Sequence, residues 1–341
     1  MPKLLWVKGP HTTDPERAVQ IQWSMGNTCN FSCEYCPSIL HNGTKPWLPT
    51  DQYLKVVDKI SNHYRSKNRF MHWELLGGEV TTIPDFEKII ERIAMYNSSV
   101  TVYTNGSRTI DWWKEAREYL TGVVITYHPL TMDVQHLYDV VDVLKDNLIL
   151  DINIAGIGGQ VEQLSDVVNN LRNMFLDSEM QSVYDVNITI KTMYKKYLGE
   201  DNNHHKQETY YNYTPQEIKI MQRPGLLPNP NQHNEYDDPN DVQDHPRFWS
   251  TEFMYEDAPP KYVQSHQIIN EGLNRFKGMK CELGFDSLNI DMNGEVISSW
   301  CGAKNFGNIT QLDNWDIPKT ETRCPFEFCN NLNDISITKT L

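Results

Sequence analysis

The sequence predicts an α/β protein built on a parallel sheet, and three observations support this. Six segments have the alternating or β-branched character of strands, a helical segment separates each consecutive pair, and distinctive polar loops follow four of the strands. Strands that alternate with helices form parallel sheets with right-handed crossovers. Six such units form either an open doubly wound sheet or a partial barrel, and in both the chemistry gathers at the carboxyl ends of the strands.

The strand and helix signals alternate from residue 18 to residue 191. The strand candidates are residues 18–25, 71–76, 99–104, 122–126, 148–155 and 185–191. The helical segments between them are residues 50–64, 84–96, 110–120, 133–146 and 160–175. Thr50 is the expected N-cap of the first helix. One face of the second helix has the spacing of a buried helical stripe, formed by Phe86, Ile89, Ile90 and Ile93.

Charge and composition limit the classes of function. The chain has 341 residues and a formal net charge of −14. Nucleic-acid-binding proteins usually carry a basic face, so the acidic balance argues against DNA or RNA as a partner, and equally against an anionic membrane surface. The sequence shows neither a membrane-spanning apolar run nor a signal peptide, so we expect a cytoplasmic protein.

The seven cysteines fall into two distant groups. A front group, Cys29, Cys33 and Cys36, lies on one short loop after the first strand candidate. The other four lie in the tail of the chain and are Cys281, Cys301, Cys324 and Cys329. An odd number of cysteines without an export signal argues against a disulfide framework. The two groups therefore predict two ligand sites in a reducing compartment.

Three thiolates on one loop suit an iron–sulfur cluster better than zinc. Structural zinc takes four ligands, and a catalytic zinc held by thiolates alone is unusual, although His41 is near enough in sequence to join the set. A four-iron cluster is normally held by thiolates, so three cysteines leave one iron open. Because an open iron can bind a substrate or cofactor, we expect a [4Fe–4S] cluster with one free position.

The loops at this sheet edge resemble those of the radical S-adenosylmethionine (SAM) superfamily. The matching features are the Cys-x3-Cys-x2-Cys spacing with Tyr35 before its last cysteine, GGEVTTIPDF at 77–86, YTNGS at 103–107 and ITYHP at 125–129. The resemblance covers about residues 18–193. It implies a partial (β/α)6 barrel, similar to a TIM barrel, within a core of residues 1–197.

The resemblance also implies roles for individual residues. The front cysteines would ligate the cluster, whose open iron would chelate the amino and carboxylate groups of SAM. Gly77 and Gly78 would let the backbone approach the SAM amino group, and Glu79 would place a carboxylate beside it. The other cofactor-binding candidates are Tyr35, Thr104, Thr126, Asn153 and Met193. A solvated turn residue is the alternative for Glu79, and an ordinary strand-end role is the alternative for Thr104, Thr126, Asn153 and Met193. His128 could reach SAM or the substrate, and a structural role is its alternative.

The implied chemistry belongs to the cofactors. One electron from the reduced cluster breaks the S–C5′ bond of SAM, and the resulting 5′-deoxyadenosyl radical takes a hydrogen atom from the substrate. The protein positions that hydrogen and excludes water. We expect flavodoxin or ferredoxin as the electron donor.

The tail contains a hairpin signal between two of its cysteines. Asn293-Gly294 separates two alternating runs within residues 287–300, so the hairpin should bring Cys281 and Cys301 together. The layout of the four tail cysteines resembles the twitch domain, a shorter relative of the SPASM domain. Residues 271–341 are therefore expected to hold one auxiliary [4Fe–4S] cluster, with a four-cysteine structural zinc as the alternative.

Residues 198–270 interrupt the strand and helix pattern. They are rich in Asn, Pro, His and Asp, with one short helix expected after Thr214 as its cap and Pro215 at its first position. Such a segment is either a solvated linker or a lid over the substrate.

Three functional hypotheses follow from the sequence. The first is a radical SAM enzyme with one auxiliary cluster that modifies a peptide or protein, as relatives with such tails often do. The second is the same chemistry on a small molecule. The third is a non-catalytic zinc or iron–sulfur binding module. About 18 residues precede the first strand candidate, so we expect no leader-binding module there.

Overall fold

The computed structural model confirms a mixed α/β protein. It describes residues 3–8, 18–175, 186–195, 208–221, 250–264, 268–269, 271–285, 287–317, 321–329, 331–335 and 337–341. The expectations for the polar segment fall partly outside the described residues, which leave out 196–207 and 222–249. In the described part of the chain, no helix combines the length and apolar character needed to cross a membrane.

The described residues contain fifteen strands and seven α-helices. The strands are β1 (Leu4–Lys8), β2 (Val19–Ser24), β3 (Met71–Leu76), β4 (Ser99–Thr104), β5 (Gly122–Tyr127), β6 (Ile149–Ala155), β7 (Val186–Lys191), β8 (Ser250–Tyr255), β9 (Ala258–Gln264), β10 (Lys280–Cys281), β11 (Ser287–Ile290), β12 (Glu295–Ile297), β13 (Asn305–Asn308), β14 (Thr322–Arg323) and β15 (Lys339–Thr340). The helices are α1 (Thr50–Arg65), α2 (Phe86–Met95), α3 (Ile110–Ala116), α4 (Val134–Leu144), α5 (Val161–Met174), α6 (Pro215–Met221) and α7 (Leu332–Ile335).

Strands β2 to β7 lie side by side in chain order, and every pairing among them is parallel. They correspond to the six strands expected from the sequence, and α1 to α5 correspond to the five helices between them. The expectation for Thr50 is wrong, because Pro49 is the N-cap of α1. Thr50 is already helical, and its hydroxyl donates to the Pro84 carbonyl at 3.1 Å.

The two faces of this parallel sheet differ in character. Burial alternates along the strands, so that in β3 the residues Met71, Trp73 and Leu75 are buried while their neighbours are half-buried. The buried rows form one core with the helices, and each large apolar side chain contributes roughly 1.5–3 kcal/mol by leaving water. The expected stripe of α2 is confirmed, because all four of its predicted residues are completely buried.

The tail continues the same sheet. Strand β11 lies parallel to β2, with Leu288 opposite Ile21, and β12 and β13 follow as antiparallel neighbours. Between β11 and β12 the chain turns at Gly294, whose φ of +78° suits glycine. The larger sheet thus has nine strands in the order β13-β12-β11-β2-β3-β4-β5-β6-β7. The domain boundaries at 197 and 270 stay a prediction.

A smaller sheet of six strands joins residues from the two ends of the chain. Its order is β14-β10-β15-β1-β8-β9, and β1 pairs antiparallel with both β8 and β15. Phe253 and Phe276 pack in its core with Cys324 and Cys329. Strands β1, β8 and β9 were not predicted from the sequence, since they depend on pairings between residues far apart in the chain.

Candidate active site

The loop with the front cysteines is fixed by the turn that follows β3. The amide of Gly78 donates to the Gly26 carbonyl at 3.0 Å, and the amide of Glu79 donates to the Thr28 carbonyl at 2.8 Å. A Cβ atom on Gly78 would lie 2.1 Å from the Thr28 oxygen, and one on Gly77 would lie 2.8 Å from the Gly26 oxygen. Glycine is needed here because two backbone segments touch. The expected contact of these glycines with SAM stays a prediction.

Glu79 ties this turn to the end of β4. Its Oε1 atom accepts hydrogen bonds from the amide and hydroxyl of Thr81, at 3.1 and 2.5 Å, and from the hydroxyl of Thr104 at 2.8 Å. Its Oε2 atom accepts from the amide of Asn105 at 2.5 Å. Burial raises the pKa of Glu79, and these donors oppose that rise. The side chain is fully buried, so it is not the solvated turn residue considered from the sequence.

The three front thiols are free and line one cavity of about 160 Å³ at the carboxyl edge of the sheet. Several predicted cofactor-binding residues line the same cavity, namely Gly77, Gly78, Thr104 and Thr126. Residues from four different loops thus meet at one place, as expected for the carboxyl ends of parallel strands.

The other predicted residues lie around this cavity. Tyr35 is 6% exposed and packs with Cys33 and Ile157 under the loop, and Met193 lies against the same cluster. Asn153 is the register partner of Thr126 and accepts a hydrogen bond from the Thr189 hydroxyl at 3.3 Å. Their predicted contacts with SAM remain predictions.

His128 lies closer to the cysteines than its sequence context indicated. Its Nδ1 atom is 2.7 Å from the Tyr35 hydroxyl oxygen and 3.5 Å from Cys33 Sγ. Burial lowers the pKa of His128 to about 4, so the imidazole is neutral at pH 7. It also lines the cavity.

Asn105 was not singled out from the sequence. Its Nδ2 atom donates to Asn30 Oδ1 at 2.9 Å and lies 3.9 Å from Cys29 Sγ. The signal that could have identified it is its position in the YTNGS loop, at the same sheet edge as the cysteines.

Part of the polar segment after β7 covers the cysteine loop. The rings of Tyr210 and Tyr211 each lie 6.4 Å from the ring of Tyr35, and the Tyr211 hydroxyl donates to Glu34 Oε1 at 2.9 Å. These contacts shield the apolar side of the front site from solvent.

Helix α6 follows this cover and begins as the sequence predicts. The Thr214 amide donates to Glu217 Oε2 at 2.8 Å, and the Glu217 amide donates to the Thr214 hydroxyl at 3.2 Å. This reciprocal pair is a capping box, so the expected cap at Thr214 is confirmed.

The four tail cysteines are free thiols. Cys324 and Cys329 lie in one buried apolar cluster, and Cys281 lies in another, against which Cys301 packs. Three are at most 7% exposed, namely Cys281, Cys324 and Cys329, and Cys301 is half-buried. The Cys301 amide donates to Asp334 Oδ2 at 2.6 Å, and Lys339 lies opposite Cys281 in the pairing of β10 with β15. Burial raises the pKa of Cys329 to about 12, although the Lys339 ammonium opposes the rise.

In the described residues, neither cysteine group has the close spacing of ligands around a single metal ion. Among the residues that the structure describes, no three His, Cys, Asp or Glu side chains are close enough to hold one metal ion.

A comparison with known protein families finds a match in the front part of the chain. Residues 23–176 match the model of the Radical SAM superfamily. This segment contains the front cysteines, the Gly-Gly-Glu turn and the loops that line the cavity. The match supports an S-adenosylmethionine-dependent enzyme. Among curated proteins, none matches the sequence significantly.

Three solved structures show some likeness. The structure of hexahistidine-tagged anSMEcpe with bound AdoMet has 15% sequence identity, covers 86% of this chain and 78% of its own, and has a TM-score of 0.45. Streptococcus suis SuiB bound to the precursor peptide SuiA has 12% identity, covers 90% of this chain and 62% of its own, and has a TM-score of 0.45. The structure of BtrN in complex with AdoMet and 2-DOIA has 11% sequence identity and a TM-score of 0.38. The match covers 86% of this chain and 79% of the BtrN chain.

The contact between the glycine turn and the cysteine loop can be tested with Gly78→Ala. The added Cβ atom overlaps the Thr28 carbonyl, so the loop must shift, and we expect the variant to lose most of its front-site iron after anaerobic reconstitution. Gly159→Ala is the control. Its Cβ atom meets nothing within 4 Å, so it carries only the strain of a φ of +80°, about 1 kcal/mol, and should keep its iron. Equal iron in both variants would contradict the assigned contact.

Proposed function

We propose that this protein is a radical SAM enzyme with two [4Fe–4S] clusters that abstracts a hydrogen atom from a peptide or protein. The observation that supports it most is the meeting of three free thiols and the Gly-Gly turn at one cavity, within the residues that match the family model. When bound, the front cluster and SAM supply a 5′-deoxyadenosyl radical. The protein's own residues hold these groups and keep water from them.

The front donor set fits a cluster with one open iron. Cys29, Cys33 and Cys36 are free, and thiolates are the usual ligands of such clusters. The Nδ1 atom of the nearby His128 forms a hydrogen bond with the Tyr35 hydroxyl at 2.7 Å, so we do not assign this atom as a cluster ligand. The three thiols thus supply three positions, and the fourth is left for SAM.

The surroundings of the front site support this chemistry. Tyr35, Tyr210 and Tyr211 pack against the buried side of the loop and limit the access of water. The side-chain amide of Asn105 points at Cys29 Sγ from 3.9 Å and moderates the negative charge of that thiolate.

The tail donor set fits a fully ligated second centre. The tail has four free cysteines, and the fully buried Lys339 lies opposite one of them, Cys281. The Nζ atom of Lys339 donates to the carbonyls of Asp334, Ile335 and Ile337 at 2.8, 3.2 and 2.7 Å. A buried ammonium is costly unless negative charge lies near it. Four thiolates around a cluster would supply that negative charge. Burial raises the pKa of Cys281 and of Cys329, and the charge of Lys339 opposes the rise in both.

A peptide or protein is the proposed substrate because of the tail. The resemblance of its cysteine layout to the twitch domain implies it, and the enzyme class itself leaves the substrate open. Flavodoxin or ferredoxin is the proposed electron donor.

The front and tail cysteines should have different functions, which substitution of each group can distinguish. Replacing Cys29, Cys33 and Cys36 by Ala should abolish formation of 5′-deoxyadenosine under reduction and lower the iron content from about eight to about four per chain. Replacing Cys281 and Cys301 by Ala should remove a similar amount of iron, spare SAM cleavage and stop turnover of the substrate. The measurements are iron analysis and chromatography of the SAM products. A tail that holds zinc in place of iron would refute the second cluster.

The buried lysine should set the reduction potential of the tail cluster. In a background without the front cysteines, Lys339→Met should lower that potential by tens of millivolts, because a positive charge that stabilises the reduced state is lost. Potentiometric titration followed by electron paramagnetic resonance measures it. Lys280→Met, an exposed lysine beside Cys281, is the control. If both variants had the wild-type potential, Lys339 would have only a structural role.

The substrate class can be tested by isotope transfer. The reduced enzyme is incubated with SAM and with extract of cells grown in deuterated medium, separated by size into peptides and small molecules. Deuterium should enter 5′-deoxyadenosine, as detected by mass spectrometry, with the peptide fraction and not with the small-molecule fraction. Transfer only from the small-molecule fraction would favour the second hypothesis.

A further inference from the structure

The face of the parallel sheet opposite the helices is polar. Register pairing places Gln22 beside Glu74 on one level, and it places Asp151 beside Asn187 on the adjoining strands. Neighbours in a parallel register point to the same face, and these residues are half-buried, whereas the residues between them form the apolar core. A closed barrel interior is usually filled by bulky branched residues. A polar interior face is therefore a surface built to contact something other than the protein core.

This polar face leads directly to the front site. Tyr103 lines the cavity of the three cysteines and belongs to the same face of β4 as Thr101, the register partner of Glu74. Burial raises the pKa of Tyr103, and the charges of Glu74 and Asp151 raise it further. A molecule bound at these carboxylates would reach the cavity past Tyr103.

The other border of the face is formed by the tail. Trp300, which precedes Cys301, donates a hydrogen bond from its indole nitrogen to Gln22 Oε1. Gln22 in turn donates to Glu74 Oε2 at 2.8 Å. The polar face thus extends from the front cavity to the residue beside a tail cysteine.

The charged groups on this face are mainly acceptors. Glu74 accepts from Gln22, with His72 Nε2 at 4.0 Å from its other oxygen, and Asp151 accepts from Asn187 Nδ2 at 3.0 Å. Burial raises the pKa of Asp151, and the charge of Lys191, at the exposed end of β7, opposes that rise. Two partly buried carboxylates with one exposed ammonium leave room for another positive group.

Asn289 gives an independent sign that this face awaits a ligand. It is the register partner of Gln22 on the same face and is 2% exposed. Within the part of the chain that the structure describes, both polar atoms of its side chain lack a hydrogen-bond partner. A buried amide without partners is costly, so native proteins rarely retain one without a function.

We propose that this face binds the substrate and selects a molecule with a protonated nitrogen, an amine or a guanidinium, that Glu74 and Asp151 hold. The Trp300 ring at the border suits the same class of group, since aromatic faces attract cations. In a peptide the group would be a lysine or arginine side chain. This inference rests on the proposed function and specifies its substrate.

The test uses arginine amide as the probe and citrulline amide, its uncharged counterpart, as the matched comparison. Binding is measured by calorimetry with anaerobically reconstituted full-length enzyme and SAM, without reductant. We expect wild type to bind arginine amide and not citrulline amide. Glu74→Gln and Asp151→Asn should each weaken the binding about tenfold, because each removes one charged partner and keeps the side-chain shape. Glu162→Gln, an exposed position on α5, should leave binding unchanged.

Three results would overturn the inference: no binding of arginine amide by wild type, equal binding of the two probes, or unchanged affinity in both site variants. Iron content and unfolding temperature of each variant show whether it is folded and loaded. Formation of 5′-deoxyadenosine by wild type is measured separately under reduction. Its absence would count against the proposed function, whereas the binding measurement needs no turnover and still decides the inference.

Discussion

The buried carboxylate of Glu79 is the contact on which the front site depends. A carboxylate withdrawn from water must be hydrogen-bonded throughout, and Glu79 receives four bonds from Thr81, Thr104 and Asn105. These bonds fix the turn after β3 against the loop after β4. The same turn is joined through its backbone to Thr28 at the entrance of the cysteine loop. One buried side chain therefore sets the positions of three loops, and with them the distance between Cys29 and Asn105.

The division of the sheet into an apolar and a polar face gives the protein both its stability and the surface that we propose binds the substrate. The helices α1 to α5 pack against the apolar face, and the free energy of burial comes from that side. The polar face carries Glu74 and Asp151, which an apolar core could not accept without partners. A strand period of two allows one sequence to serve both purposes, because successive side chains point in opposite directions.

Two strand pairings between the tail and the rest of the chain decide where the tail cysteines lie. Strand β11 continues the larger sheet beside β2, and β15 pairs with β1 in the smaller sheet. The first pairing places Trp300 against Gln22, and the second places Lys339 in a sheet that also contains Cys281. The proposed second metal centre is thereby joined to the same framework that holds the front cysteines.

The sequence by itself determined the alternating elements of residues 18–191, the buried stripe of α2, the cap at Thr214 and the two groups of cysteines, because periodicity, capping and ligand spacing are local signals. It did not determine the roles of Gly78 and Glu79 as contacts within the protein, the nearness of His128 to Cys33, or strands β1, β8 and β9. Nor could it show the polar face of the sheet that carries Asn289, Glu74 and Asp151. These depend on pairings between residues distant in the chain, and only the folded structure fixes which of the many possible registers satisfies burial and hydrogen bonding at once.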